Sequence, residues 1–61
     1  MKKYRWTFGN GIVWDLEVDA DGWVMIHEST GGFIAKKKNL GLARSYATTY
    51  LRYKILKEEE L

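Results

Sequence analysis

Polar and apolar residues alternate over the first half of the chain, as expected for strands that bury one face. In the first such run the apolar positions are Tyr4, Trp6 and Phe8. Segments that contain glycine separate the runs and predict turns. The pattern predicts three strands and leaves a short fourth one open: residues 3–8, 12–18 and 23–28, and residues 33–36 for the fourth.

The register of the first hairpin follows from the same pattern. A two-residue turn at Asn10 and Gly11 would mix the polar and apolar faces, whereas a three-residue loop over 9–11 places Trp6 opposite Trp14. This loop needs Gly11 in the left-handed conformation. It also aligns opposite charges across the strands. The predicted charge pairs are Arg5 with Asp15 and Lys3 with Glu17.

The second turn, Asp19 to Gly22, fits the same type of loop, with Asp at its first position and Gly at its fourth. It would set Val18 opposite Val24 and Leu16 opposite Ile26. The opposite face of the sheet then receives three residues of the third strand and a neighbouring carboxylate. These are Trp23, Met25 and His27, with His27 opposite Asp15.

From Asn39 onward the apolar period changes to that of a helix, and Asn39 is a good N-cap residue. The apolar stripe is formed by Leu40, Ala43, Ala47, Leu51 and Ile55. We therefore predict a helix over residues 40–57, with residues 58–61 fraying. The predicted fold class is α+β: a three- to four-stranded antiparallel meander sheet packed on one C-terminal α-helix, in a single domain of residues 1–61.

The composition limits the chemistry. Among 61 residues there is no Cys and one His, so disulfides and cysteine-based zinc sites are excluded and we expect no metal or cofactor. A chain this short needs dense packing or self-association, and three Trp, four Tyr and two Phe can supply an aromatic core. No apolar run reaches bilayer length and no signal-peptide core follows the N-terminal lysines, so we expect a cytoplasmic protein.

The net charge of +2 conceals a separation of charge along the chain. Residues 9–28 contain five acids and no Lys or Arg, whereas residues 29–57 contain seven bases and no acid. A basic segment of this kind is typical of contacts with nucleic-acid phosphates, in DNA or RNA, although a solvated helix face is the alternative. The candidate phosphate-binding residues are Lys36, Lys37, Lys38, Arg44 and Arg52.

A second candidate surface is the sheet face that carries Trp23, Met25 and His27. An exposed apolar patch on a small protein is typical of a protein interface, of which a homodimer is the commonest form. His27 beside Asp15 has the chemistry of a general base, but a lone His in a sheet is more often structural. Since no nucleophile motif accompanies it, we expect no enzymatic activity.

The sequence therefore predicts a small non-enzymatic binding module. Its first candidate partner is nucleic acid, bound through the basic segment of Lys36–Lys38 and the helix face. The alternatives are a protein-interaction module or inhibitor that uses the face around Trp23, and a homodimeric structural domain.

Overall fold

Five strands and one helix account for most of the chain in a computed structural model that describes all 61 residues. The strands form one antiparallel sheet in the order β4-β3-β2-β1-β5. The helix lies across one side of this sheet. In chain order the elements are β1 (Lys2–Phe8), β2 (Val13–Val18), β3 (Val24–Glu28), β4 (Phe33–Lys37), α1 (Leu40–Leu51) and β5 (Ile55–Glu60).

The α+β fold and the meander of the first four strands are confirmed, and residues 33–37 do form a fourth strand. The register of the first hairpin is also confirmed, since Trp6 pairs with Trp14. In the second hairpin Leu16 pairs with Ile26, as predicted. The predicted charge pairs Arg5 with Asp15 and Lys3 with Glu17 lie directly across the strands.

The three hairpins of the meander share one loop geometry. In each, the residue before the loop receives a hydrogen bond on its carbonyl from the glycine that ends the loop, at N···O distances of 2.8–3.1 Å. The same residue donates its N–H to the carbonyl four positions later, at 2.7–3.0 Å. The closing glycines Gly11, Gly22 and Gly31 have φ of 86°, 90° and 106°, which an L side chain rarely adopts. Glycine spacing therefore sets the register of the whole meander.

The C-terminal region differs from the prediction. Asn39 caps the helix as expected, because its Oδ1 accepts a hydrogen bond from the N–H of Leu42 at 2.8 Å. The helix ends at Leu51, not at residue 57, because Arg52 adopts the left-handed conformation with φ of 58° and its N–H bonds to Thr48 O.

Residues 55–60, predicted as the last helical turn and a frayed end, instead form β5. This strand adds to β1, so the helix is not C-terminal and the sheet has five strands. Glutamates at a helix C-terminus oppose the helix dipole, whereas in β5 they meet a basic strand, with Glu59 opposite Arg5. The helical spacing of Leu51 and Ile55 is thus outweighed by pairing with a distant strand.

The core lies between the helix and one sheet face, which we call the inner face. Eight apolar residues are fully buried there: Trp6, Phe8, Trp14, Leu16, Val24, Ile26, Ala43 and Ala47. The two helical alanines leave room for the bulky rings of the sheet to pack against the helix backbone. No buried side-chain polar atom lacks a hydrogen-bond partner. The other side of the sheet, the outer face, is covered by no element of the chain.

The chain's one helix, Leu40–Leu51, has neither the length nor the apolar character needed to cross a membrane.

Candidate binding surfaces

The most apolar part of the outer face lies on β3 and β4. Strand alternation and the loop at Gly22 bring Trp23, Met25 and His27 to this face, as the sequence predicts. Strand β4 adds Phe33 and Lys36, which lie opposite His27 and Met25. These five residues are called the outer cluster below.

Contacts of aromatic rings hold the side chains of the outer cluster in place. The rings of His27 and Phe33 meet edge to face, with centroids 5.5 Å apart and an interplanar angle of 73°. At the other end of the cluster, Lys36 Nζ lies 4.9 Å from the ring centroid of Trp23, a cation–π distance. Trp23 is further fixed by its turn, since its backbone N–H donates to Asp19 Oδ1 at 3.0 Å.

Phe33 is the member of this surface to which the sequence assigns no binding role. The residue is 62% exposed, more than the half-buried Trp23, Met25 and His27. The third loop, closed by the hydrogen bond from Glu28 N–H to Gly32 O, places Phe33 opposite His27. The pairing then shifts by one residue between Ile26 and His27, and this bulge brings Lys36 opposite Met25. Alternation alone does not reveal such a bulge. The adjacent Gly31 and Gly32 are the only local sign of irregular backbone.

Beside the outer cluster, the outer face carries charges of both signs. Arg5 donates two hydrogen bonds to Asp15, from Nε to Oδ1 at 2.9 Å and from Nη2 to Oδ2 at 3.4 Å. The hydrogen bond with Asp15, and then its charge, raises the pKa of Arg5. His27 lies opposite Asp15 in the register, but no hydrogen bond joins them. The carboxylate of Asp15 therefore binds Arg5 and does not orient the imidazole of His27.

The five basic residues proposed from the sequence as phosphate contacts are distributed over different sides of the molecule. Lys36 and Lys37 are neighbours in a strand and point to opposite faces. The Lys37 Nζ lies 4.3 Å from the ring centroid of Tyr46 on the helix side. Lys38 is exposed just before the helix, while Arg52 follows its end, about 18 Å away along a 12-residue helix.

Arg44 takes part in a contact that joins three elements. Its Nη2 lies 2.5 Å from Glu58 Oε1 of β5, and its guanidinium carbon lies 5.2 Å from the ring centroid of Trp6. The same Glu58 oxygen accepts a hydrogen bond from Trp6 Nε1 at 2.8 Å. Arg44 therefore helps to hold β5 against β1 and the helix. This role of Arg44 is not predicted from the sequence, because the helical pattern places Glu58 at a frayed chain end.

A second exposed aromatic surface lies on the helix. Tyr46 and Tyr50 stack with centroids 5.4 Å apart and an interplanar angle of 12°, and both rings lie 6.2 Å from that of Trp14. Tyr50 is 64% exposed. This pair differs from the outer cluster because it covers the buried Trp14, so it has a clear structural role.

One cleft lies between the first and third hairpin loops, lined by Gly11, Ile12, Val13, Glu28, Ser29 and Thr30. Its volume is about 230 Å³, below the range of typical small-molecule sites. Glu28 is its one charged residue, and its carboxylate accepts a hydrogen bond from Thr30 Oγ1 at 3.3 Å. No group of three His, Asp or Glu side chains is close enough together to hold a metal ion.

Comparisons of the chain with protein-family models, curated proteins and solved structures give no match. The surfaces described above are therefore the grounds for a functional proposal.

Proposed function

We propose that this protein is a small protein-binding module whose contact surface is the outer cluster: Trp23, Met25, His27, Phe33 and Lys36. The observation that carries the proposal is an ordered group of aromatic and apolar side chains on a sheet face that nothing in the chain covers. Exposed apolar patches of this kind on small proteins are typical of interfaces.

The residue types support a protein partner. Trp is enriched at the energetic centres of protein interfaces, and aromatic rings lose little conformational entropy on binding. The ring contacts of Trp23 with Lys36 and of Phe33 with His27 limit that loss further. The partner surface that fits has apolar side chains to cover Met25 and Phe33, with a carboxylate to meet Lys36.

The charges of the same face favour protein over nucleic acid. A phosphate backbone needs a continuous positive surface. Next to the outer cluster, Asp15 and Glu17 on β2 interrupt the bases Lys3 and Arg5 of β1. The basic residues outside this face are spread from Lys38 at the start of the helix to Arg52 at its end, and Arg44 between them is paired with Glu58. Nucleic-acid binding through Lys36–Lys38, Arg44 and Arg52 stays a prediction from the sequence and becomes an outcome of the test.

The test uses two aromatic residues of matched exposure. Phe33→Ser removes an exposed ring from the outer cluster, whereas Tyr50→Ser removes an equally exposed ring from the helix. A protein retained by the immobilised wild-type chain is purified, and its dissociation constant is measured by calorimetry. We expect Phe33→Ser and Trp23→Ala each to weaken binding by about tenfold or more, and Tyr50→Ser to leave it unchanged.

Three results would contradict the proposal. The first is equal binding by Phe33→Ser and the wild type, and the second is the absence of any retained protein. The third is a titration with a short DNA duplex or single strand that shifts the NMR signals of Lys36, Lys38 and Arg52 with a steep dependence on salt. Sedimentation of the chain alone detects the remaining alternative, in which a second copy occupies the outer cluster.

A further inference from the structure

The sheet has a basic strand near each of its two sides, β1 on one side and β4 on the other. Strand β1 is basic, with Lys2, Lys3 and Arg5, and it would form an edge if β5 were absent. The acidic strand β5 covers it: Glu59 lies opposite Arg5, and the N–H of Leu61 donates to Lys3 O at 2.8 Å. The fold therefore pairs a basic strand with an acidic one at this side.

At the other side of the sheet, β4 has the same basic character and no covering strand. It is hydrogen-bonded to β3 alone, so the backbone N–H and C=O groups on its free side have no partner strand. Its lysines have no acidic residue across the strand pair. Lys36 lies opposite Met25, and Lys37 lies opposite Val24.

We propose that the free edge of β4 binds an extended acidic segment of a partner protein as a sixth strand. Backbone hydrogen bonds to β4 would supply affinity in any sequence. Successive carboxylates of the segment would meet Lys36 on the outer face and Lys37 on the inner face, with a further one near Lys38. The structure supplies a precedent, since the acidic strand β5 pairs with the basic strand β1 and places Glu59 opposite Arg5.

The lysines of β4 also disfavour some strands as partners at this edge. Lysine on an edge strand prevents pairing with a like strand, because a second β4 would bring two sets of lysines together. The same charges attract an acidic strand. This edge lies beside the outer cluster, with Phe33 and Lys36 belonging to both, but the inference does not depend on the proposed function. Peptide binding at the edge can succeed where the outer cluster binds nothing, and the reverse also holds.

The experiment uses the full chain, labelled with ¹⁵N, and a synthetic peptide with the sequence of residues 55–61, blocked at both ends. We expect saturable shifts of the amide signals over residues 33–38 and their β3 neighbours. A peptide with glutamine in place of its three glutamates should bind more weakly. A peptide methylated on alternate backbone nitrogens should not bind, because it cannot complete the strand pairing.

Two variants with the same change of charge locate the site. Lys36→Gln combined with Lys38→Gln should raise the dissociation constant of the peptide by about fivefold, as expected for the loss of two exposed charge pairs. Lys2→Gln combined with Lys54→Gln removes two exposed lysines away from β4 and should leave the affinity unchanged. Circular dichroism confirms that both variants are folded.

Four results would overturn the inference. Shifts confined to β1 and β5 would mean that the peptide displaces the chain's own β5. Equal binding of the glutamine peptide would remove the charge argument, and equal binding of an oligothymidylate of the same charge would indicate a general polyanion surface. Concentration-dependent sedimentation of the chain alone, lost in the Lys36→Gln and Lys38→Gln variant, would assign the edge to β5 of a second copy.

Discussion

On the inner face of β2, Trp14 and Leu16 are completely buried, whereas Asp15 and Glu17 on the outer face of the same strand are only partly covered. The inner face meets the helix alanines Ala43 and Ala47, which are also fully buried. The outer face meets water. One strand thus serves a dry core and an open surface through alternation alone.

This difference indicates which residues the fold needs. Apolar burial on the inner face supplies most of the stability of a domain this small. On the outer face, partly exposed ion pairs such as Arg5 with Asp15 add little. The rings of Trp23 and Phe33 on that open face are therefore not explained by stability, and binding is the explanation proposed above.

The largest expected effect separates the two faces directly. Trp14→Ala should destabilise the fold by about 3–5 kcal/mol, because it removes a fully buried ring that contacts Phe8 and both helix tyrosines. A domain of this size has a total stability of about 3–9 kcal/mol, so this loss is a large fraction of the total. Met25→Ala on the outer face should cost less than about 1.5 kcal/mol. Urea unfolding followed by circular dichroism measures both.

Similar losses of stability in these two variants would show that the outer face is also part of the core. The outer cluster would then be needed for stability, and its exposed rings would no longer point to a binding role.

The hairpin region could be predicted closely because its signals are local and agree. Alternation places Trp6 and Trp14 on one face, glycine spacing fixes the loop, and the pair of Arg5 with Asp15 supports the same register. A shift by one residue would move every buried ring to the outer face. Few competing arrangements remain for such a sequence.

The C-terminal region could not be predicted in the same way. The partner of β5 is β1, about fifty residues earlier, so no local pattern marks the pairing. Three consecutive glutamates are poor strand formers, and Ile55 continues the helical spacing of Leu51. The one local warning was the conflict between Glu58–Glu60 and the helix dipole. The role of Arg44 depends on Glu58 and was missed for the same reason.

A second prediction compares the two faces within β5. Glu58 points to the inner side and accepts hydrogen bonds from Trp6 Nε1 and Arg44, whereas Glu59 lies on the outer side opposite Arg5. Glu58→Ala should cost about 1–3 kcal/mol, because it leaves the buried indole N–H without its acceptor. Glu59→Ala should cost less than about 1 kcal/mol.

Thermal unfolding measures this pair, and Glu58→Gln serves as a control because its amide oxygen can still accept the indole hydrogen bond. Amide exchange in β5 should accelerate in Glu58→Ala alone. Equal effects of the two alanine variants would mean that the contact between Glu58, Trp6 and Arg44 does not anchor the strand.

The smallest expected effect concerns the loop that decides which side chains reach the outer face at β4. Gly31 has φ of 106° and ends the third loop, whereas the φ of its neighbour Gly32 is not positive. A methyl group at either position meets only open space. Gly31→Ala should therefore cost about 1–2 kcal/mol through backbone strain alone. Gly32→Ala should be neutral or stabilise by up to about 1 kcal/mol, because it restricts the unfolded chain.

Urea midpoints of the two variants give the difference in stability, and the NMR contact between His27 and Phe33 reports the register. If Gly31→Ala keeps both its stability and that contact, the left-handed glycine does not set the register that brings Phe33 to the outer cluster.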